Sequence, residues 1–271
     1  MPENITAQVE EQQALGGDYH LLRIAGPTIA AAARAGQFVM LGLGDPGEML
    51  IRRPFSIARV IESAEGPVAF EILYKVVGRG TLAFSRLRPG AAMSVLGPLG
   101  RGFWLPAPEA PCRPILVAGG IGIAPFPLFV QQLGPAARHA EVIYGGRSAV
   151  DLPLARWFEP RCGTLTLATE DGTEGLRGRI TAPLEQALDQ ADEQEGSCVF
   201  ACGPHPMLAA VARLCLERQI PCQLALEETM ACGFGVCLGC VVPRRHPTDA
   251  FDRFARVCTE GPVFDAREIV L

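Results

Sequence analysis

Four cysteines near the carboxyl end constrain this chain more than any other feature. They lie in the run C-G-F-G-V-C-L-G-C, from Cys232 through Cys237 to Cys240, with Cys258 following after seventeen intervening residues. Four thiolates in a C-x4-C-x2-C…C arrangement are what a [2Fe–2S] cluster requires. Beyond Glu228 the chain is rich in Gly and Cys and has little periodicity, and a piece of forty-odd residues needs a staple such as a metal to hold its fold. Gly233, Gly235 and Gly239 suit a loop that wraps a cluster, because glycine allows positive φ and close backbone approach. Amides freed in this way can point at sulfur. The rival reading is a structural zinc site built from Cys237, Cys240, Cys258 and either Cys232 or His246. Zinc sites of that kind pair two C-x2-C units, or one with H-x3-5-H, and no second pair is present.

Composition narrows the remaining classes. A chain of 271 residues that is 49% hydrophobic, with mean hydropathy +0.22, buries a core and is not intrinsically disordered. At that length more than one domain is expected. A net charge of −5 and 7% aromatic residues supply neither a phosphate-neutralising surface nor stacking platforms, so no nucleic-acid partner is expected. Residues 1–13 are polar and acidic where a signal peptide needs basic and then apolar residues. A cytoplasmic location follows as the expectation, and a reducing compartment argues against a disulfide framework for the ten cysteines. The longest apolar stretch, 115–130, is broken by glycines and prolines and is too short to span a bilayer, so no membrane segment is expected.

Three units are expected. Residues 1–106 carry short β-type runs at 5–9, 19–24, 37–43, 54–61, 68–77 and 92–96, punctuated by Gly and Pro, with one helix at 81–87. That pattern reads as a small antiparallel β-barrel. After a proline-spaced linker at 106–111, residues 107–226 alternate strands (115–118, 141–144, 164–169, 198–202, 223–226) with helices (125–133, 182–188, 206–218). Such alternation gives a doubly wound parallel sheet whose last strand is 223–226. Residues 227–271 form the small cysteine-bearing domain. The fold class is thus multi-domain, β plus α/β.

Two nucleotide signals sit on this frame. Arg53-Pro54-Phe55-Ser56 lies on a barrel strand, and Lys75 to Thr81 runs through Gly78 and Gly80 into the barrel's helix. Glycine-rich backbone leading into a helix N-terminus, with Thr81 as its cap, makes a phosphate cradle, and Arg53 would add a bidentate clamp. The ordinary reading is a hairpin-to-helix turn beside a solvated arginine. In the second unit a strand runs into Gly119, Gly120 and Gly122 and then Pro125, a placement that fits a dinucleotide loop although Pro125 replaces the third glycine of the usual pattern. Cys202-Gly203-Pro204 ends a neighbouring strand on the same rim; Cys202 reads either as a small buried residue or as one adjacent to the nicotinamide. Glu170 and Asp171 after a third strand favour NAD over NADP, since carboxylates accept from ribose hydroxyls and repel a 2′-phosphate, while Arg147 pulls the other way.

Taken together, R-P-F-S, Y-K-V-V-G-R-G-T, G-G-I-G-I-A-P and C-G-P-H-P-M resemble the ferredoxin–NAD(P) reductase superfamily over about residues 1–226. The ending, L-E-E-T-M-A-C-G-F-G-V-C-L-G-C with V-C-T-E-G-P-V-F, resembles the electron-transfer subunits of NAD-dependent dihydroorotate dehydrogenase. The resemblance implies FAD on the barrel, held by Arg53, Ser56 and the intervening Pro54 and Phe55, with Tyr74, Lys75, Gly80 and Thr81 completing the site. Phe55 stands where many relatives carry Tyr. It implies NAD at Gly119, Gly120, Gly122, Pro125 and Cys202-Gly203-Pro204, and a cluster on Cys232, Cys237, Cys240 and Cys258. A separate FMN-bearing catalytic subunit, two of each chain per complex, would be the partner. No catalytic acid or base is implied, and His20, His139, His205 and His246 are read as surface or structural. Two rivals remain: a subunit serving a hydrogenase, a sulfide dehydrogenase or a ferredoxin:NADP oxidoreductase, and a non-catalytic sensor on the same fold.

Overall fold

A computed structural model describes residues 2–44, 51–106, 112–190, 196–249 and 252–271. The expected linker falls, from residue 107 onward, outside them. Six antiparallel strands close into a barrel in the order β1-β2-β5-β4-β3-β6: β1 Glu3–Gly16, β2 Tyr19–Ala25, β3 Phe38–Leu43, β4 Arg53–Ser63, β5 Gly66–Lys75 and β6 Ala92–Leu99. Two short helices accompany them, α1 Pro27–Ala32 and α2 Arg79–Phe84. Only the second was expected. The alanine-rich turn after Gly26 forms α1 because Pro27 opens it with a preset φ and Ile29 and Ala30 are buried. The first strand also runs longer than 5–9, since its polar second half pairs with β2 as an exposed hairpin.

The second unit is a seven-stranded sheet in the order β10-β9-β8-β7-β11-β12-β15. Its strands are β7 Arg113–Gly119, β8 Glu141–Gly146, β9 Thr164–Thr169, β10 Leu176–Arg177, β11 Ser197–Cys202 and β12 Cys222–Ala225. Helices α3 Phe126–Leu133, α4 Ala155–Phe158, α5 Thr181–Asp189 and α6 His205–Glu217 connect them. All pairings are parallel up to β12. Strand order reverses between β7 and β11, the position where open α/β sheets bind ligands.

The C-terminal segment contributes a hairpin, β13 Val241–Pro243 with β14 Phe254–Arg256, and then β15 Val263–Asp265. Here the structure corrects the sequence reading: 223–226 is the last parallel strand, but β15 adds antiparallel to it and forms the sheet edge. Val263 and Phe264 are buried there, so the strand is held by the neighbour it packs on. A second correction concerns cysteine: Cys112 and Cys198 form a disulfide. No helix among the described residues is long and apolar enough to cross a membrane.

Every residue of β3 is buried. Val39, Leu41 and Leu43 belong to the barrel core, while Phe38 and Met40 join a second core with Met230, Cys240, Val242 and Cys258. Period-two alternation therefore points one face into the barrel and the other into the C-terminal segment.

Two joints fix the barrel to the parallel sheet. Phe103 lies 5.5–5.8 Å, centroid to centroid, from Phe126, Phe129 and Phe200, and Phe129 lies 4.6 Å from Phe200. On the other side of the junction, Asp151 accepts from the Tyr19 hydroxyl at 2.8 Å and from the Lys75 ammonium at 2.9 Å. Burial pushes the Asp151 carboxyl up, but the Lys75 and Tyr19 hydrogen bonds outweigh it and hold the group below its ordinary value. The folded chain thus binds that proton less readily than the unfolded chain. The contribution is complete above about pH 4 and is lost as pH falls through the depressed folded-state value.

Phe129→Ala is expected to lower the unfolding free energy by about 3–5 kcal/mol in a urea titration; a loss under about 1 kcal/mol would show that the aromatic joint is not packed as described. Asp151→Asn is expected to flatten the acid limb, so that between about pH 6 and pH 3 the variant loses less stability than the native chain. Equal losses would contradict the cross-domain pair.

Candidate functional site

A cleft of about 500 Å³ opens where the three units meet. The barrel supplies Pro54, Phe55 and Ser56 from β4, Tyr74 and Lys75 from β5, and Thr81 from α2; Ile121 and Ala124 come from the loop after β7; Leu226 to Met230 and Pro262 come from the C-terminal segment. Six of the eight residues expected on the barrel therefore converge. Arg53 does not line the cleft: it is exposed and its guanidinium donates to the Ile51 carbonyl at 2.5 Å. Gly80 is half-buried in the first turn of α2.

Thr81 acts differently from the expected cap. The N-cap is Gly78, and the Thr81 hydroxyl reaches back to accept from the amides of Val77 and Gly78 at 2.9 and 3.2 Å. Those two amides are consumed by the turn itself. Tyr74 is almost fully buried and accepts a 2.7 Å hydrogen bond from Gln12; burial, opposed by that bond, pushes its hydroxyl up to about 12. Phe55 packs edge-on against Tyr74 at 6.0 Å.

On the second unit, Gly119 to Pro125 and Cys202 to Pro204 follow paired strands, with Cys202 opposite Ala118. The glycines serve a purpose the sequence reading did not assign. A Cβ on Gly122 would lie 2.3 Å from the Cys202 carbonyl oxygen, and one on Gly119 would lie 2.6 Å from the Met207 sulfur and 2.9 Å from Pro204. These two glycines let the loops press together. Gly120, at φ 54°, faces only the Tyr19 hydroxyl at 3.8 Å and has the open side. It opens a 3-10 turn, Gly120–Ile123, and Pro125 caps α3. Cys202 is 2% exposed, which makes it a small core residue, and burial together with the Glu227 charge keeps its thiol protonated. Glu170 and Asp171 lie at the end of β9, where Asp171 accepts from the backbone amide and hydroxyl of Thr173.

The cysteines follow directly on the cleft wall. Gly233 has positive φ, and a Cβ there would lie 2.5 Å from Met40 of β3, so the loop sits against the barrel. The four thiols stand as two neighbouring pairs, Cys232 with Cys237 and Cys240 with Cys258, with charge interaction between them. Among the described residues no three ligand-type side chains close on one point. The donor chemistry nevertheless fits a thiolate-bound group. Burial pushes Cys232 up, but the amides of Cys237, Phe234 and Val236 and the Cys237 thiol act against it and hold it down at about 6. Cys258 is pushed up to about 12 by burial and by Cys240, against the amide of Gly235. Around the loop, Phe234, Val236 and Leu238 are 54%, 73% and 60% exposed, an apolar fringe unusual for a free surface.

Sequence reasoning missed the third wall of the cleft. Glu227 is open to the cleft yet closely surrounded by protein, and that burial raises its carboxyl above the ordinary value.

A parallel sheet with a glycine crevice at its switch point, joined to a barrel and a thiol-rich loop over one cleft, defines a nucleotide-dependent oxidoreductase with an iron–sulfur appendage. Family profiles agree: one described as the iron–sulfur cluster binding domain of dihydroorotate dehydrogenase B matches residues 227–270, and one described as an oxidoreductase NAD-binding domain matches 116–213. The dihydroorotate dehydrogenase B (NAD(+)) electron transfer subunit of Geobacillus kaustophilus is 34% identical over 97% of each chain. That of Desulforamulus reducens is 34% identical over 90% of this chain and 89% of its own. The chain belongs to this family of electron transfer subunits. Among solved structures, an NADH-dependent reduced ferredoxin–NADP oxidoreductase, described in connection with flavin-based electron bifurcation, superposes with a TM-score of 0.82 at 25% identity over 97% of this chain and 89% of that one. A ferredoxin NADP+ reductase from Neisseria gonorrhoeae with bound FAD and NADP shares the fold, with a TM-score of 0.63 at 20% identity over 79% of this chain and 91% of that one.

Gly122→Ala is expected to spread the two crevice loops and raise the Kd for NADH by about tenfold or more, with flavin content unchanged. Fluorescence titration with NADH checks this; unchanged affinity would mean that the loop contact does not shape the crevice.

Proposed function

We propose that the chain relays electrons from an FMN-bearing dihydroorotate dehydrogenase catalytic subunit to NAD, through a [2Fe–2S] cluster on Cys232, Cys237, Cys240 and Cys258 and an FAD on the barrel, in pyrimidine biosynthesis. The observation that carries this reading is that both ends of the cysteine segment, Met230 and Pro262, line the same cleft as Phe55, Ser56 and Tyr74. When bound there, FAD converts single-electron traffic into hydride traffic.

The chain's own residues have separable tasks in this proposal. Pro54, Phe55, Ser56 and Tyr74 form the flat apolar wall for the flavin ring, and Ser56 has a hydroxyl to offer its polar edge. Arg53, Gly80 and Thr81 would serve the phosphate end, Arg53 by turning its guanidinium from the Ile51 carbonyl. Lys75 stays with Asp151, holding the barrel side of the cleft against the nucleotide side. Gly119, Gly120, Gly122, Pro125 and Cys202-Gly203-Pro204 shape the nicotinamide crevice, and Glu227 is the carboxyl in the cleft with raised proton affinity. The exposed Phe234, Val236 and Leu238 form the docking face for the catalytic subunit, which would dehydrate them. Three domains, 1–106, 107–226 and 227–271, divide the work among FAD, NAD and the cluster. Two copies would join two catalytic subunits in the cytoplasm.

Cys237→Ser tests the relay. NADH-dependent dye reduction by the isolated flavoprotein should be retained within about twofold, whereas dihydroorotate-dependent NAD reduction by the reconstituted complex should fall at least about a hundredfold, since removing an essential carrier interrupts the path. Full activity of the complex with this variant would remove the cysteines from the path. Absence of NADH–dye activity in the native chain would favour the sensor reading instead.

A further inference from the structure

On the side of the barrel–sheet junction formed by the far ends of β4 and α3, a second cavity of about 400 Å³ is lined by Arg59, Arg138, Arg161 and Trp157, with Ile61 and Val130 as apolar wall. None of its lining residues is acidic, and none lines the cofactor cleft. The three guanidiniums come from unconnected stretches: Arg59 from β4, Arg138 from the 3-10 turn Gly134–His139, and Arg161 from the turn after α4. Two of them flank the indole, with Arg161 at 4.5 Å and Arg59 at 5.7 Å from the Trp157 ring. Arg161 is steadied by donating to the Trp157 carbonyl at 2.8 Å. Arg59 is anchored from behind by the buried Glu71 carboxylate, which also holds Arg23. Burial pushes the neighbouring Cys162 thiol up, and its own backbone hydrogen bond and the Arg138 charge only partly oppose that rise.

In a chain with net charge −5, the positive potential focused on this acid-free concavity comes chiefly from Arg138 and Arg161, since the Arg59 guanidinium that joins them is already paired through two nitrogens with Glu71. Surface arginines without a role are normally interspersed with acids, as Arg244, Arg256 and Glu260 are in the C-terminal segment. The guanidinium fork matches the oxygens of phosphate bidentately, and the volume lies within the roughly 300–1,000 Å³ range of small-molecule sites. The apolar flank of Ile61, Val130 and the indole edge provides for an organic group attached to the anion.

We propose that this cavity is a binding site for a phosphate dianion carried on a small organic molecule, separate from both nucleotide sites. Its position carries a consequence. Gln131 of α3, which lines the cavity, exchanges two hydrogen bonds of 3.0 Å with the backbone of Val60 on β4. An occupant therefore bridges the strand that bears Pro54 to Ser56 and the helix that Pro125 caps, and stabilises the barrel against the parallel sheet by mass action.

Trp104 and Trp157 are the only tryptophans in the chain, so in the flavin-loaded Trp104→Phe protein all indole emission reports this cavity. Titration with ribose 5-phosphate and with inorganic phosphate, at ionic strength held constant with chloride, should give a saturable change in emission and a rise in unfolding temperature. Tighter binding of ribose 5-phosphate supports the organic ester. Equal affinities, or tighter binding of inorganic phosphate, would overturn the claim that an organic group is seated there. Arg138→Ala with Arg161→Ala should weaken binding at least tenfold while leaving NADH–dye turnover unchanged, which shows that the protein is folded. No saturable response to either phosphate, or an affinity unchanged in the double variant, would overturn the proposal.

Discussion

The contact that the rest of the structure depends on is the seating of the C-terminal segment against the outer face of β3. Phe38 and Met40 point away from the barrel core into a second core containing Met230, Cys240 and Cys258. Gly233 is bare because Met40 occupies the space a side chain would need. A barrel strand exposed on its outer face would have carried polar residues there. This one spends its outer face on holding the cysteine loop beside the cleft. Return of the chain through Pro262 into β15 fixes the other end, with the Arg101 amide donating to the Gly261 carbonyl. Thiols and cleft are therefore one construction.

Orientation of the two nucleotide-facing units rests on contacts of unequal weight. Burying a phenylalanine contributes about 1.5–3 kcal/mol, so the cluster of Phe103, Phe126, Phe129 and Phe200 supplies most of the joint's stability. The Lys75–Asp151 pair is partly exposed, and such pairs contribute about 0–1 kcal/mol. Its value lies in direction, because Tyr19, Lys75 and Asp151 meet beside the open face of Gly120. Packing holds the units together and the polar contacts set their angle.

Much of this was legible from local sequence. Cysteine spacing, strand runs between glycines and prolines, and glycine-to-helix transitions are short-range features, and the barrel, the parallel sheet and the cleft residues Pro54 to Ser56, Lys75 and Thr81 followed from them, whereas Tyr74 came only with the family resemblance. What escaped depends on contacts distant in the chain. The three residues of β15 become a strand only beside β12. Cys112 and Cys198 are eighty-six residues apart. Gly119 and Gly122 read as openings for a phosphate, yet their close neighbours are Met207, Pro204 and the Cys202 backbone. Arg59, Arg138 and Arg161 look like scattered surface charge until folding gathers them around Trp157.

The most direct measurement is electron paramagnetic resonance of the chemically reduced, purified holoprotein, combined with iron and acid-labile sulfide analysis. A [2Fe–2S] cluster on these four thiols gives iron and sulfide in equal amounts and a rhombic signal from a binuclear centre. A colourless protein containing zinc, or one whose reduced form gives no such signal, would contradict it.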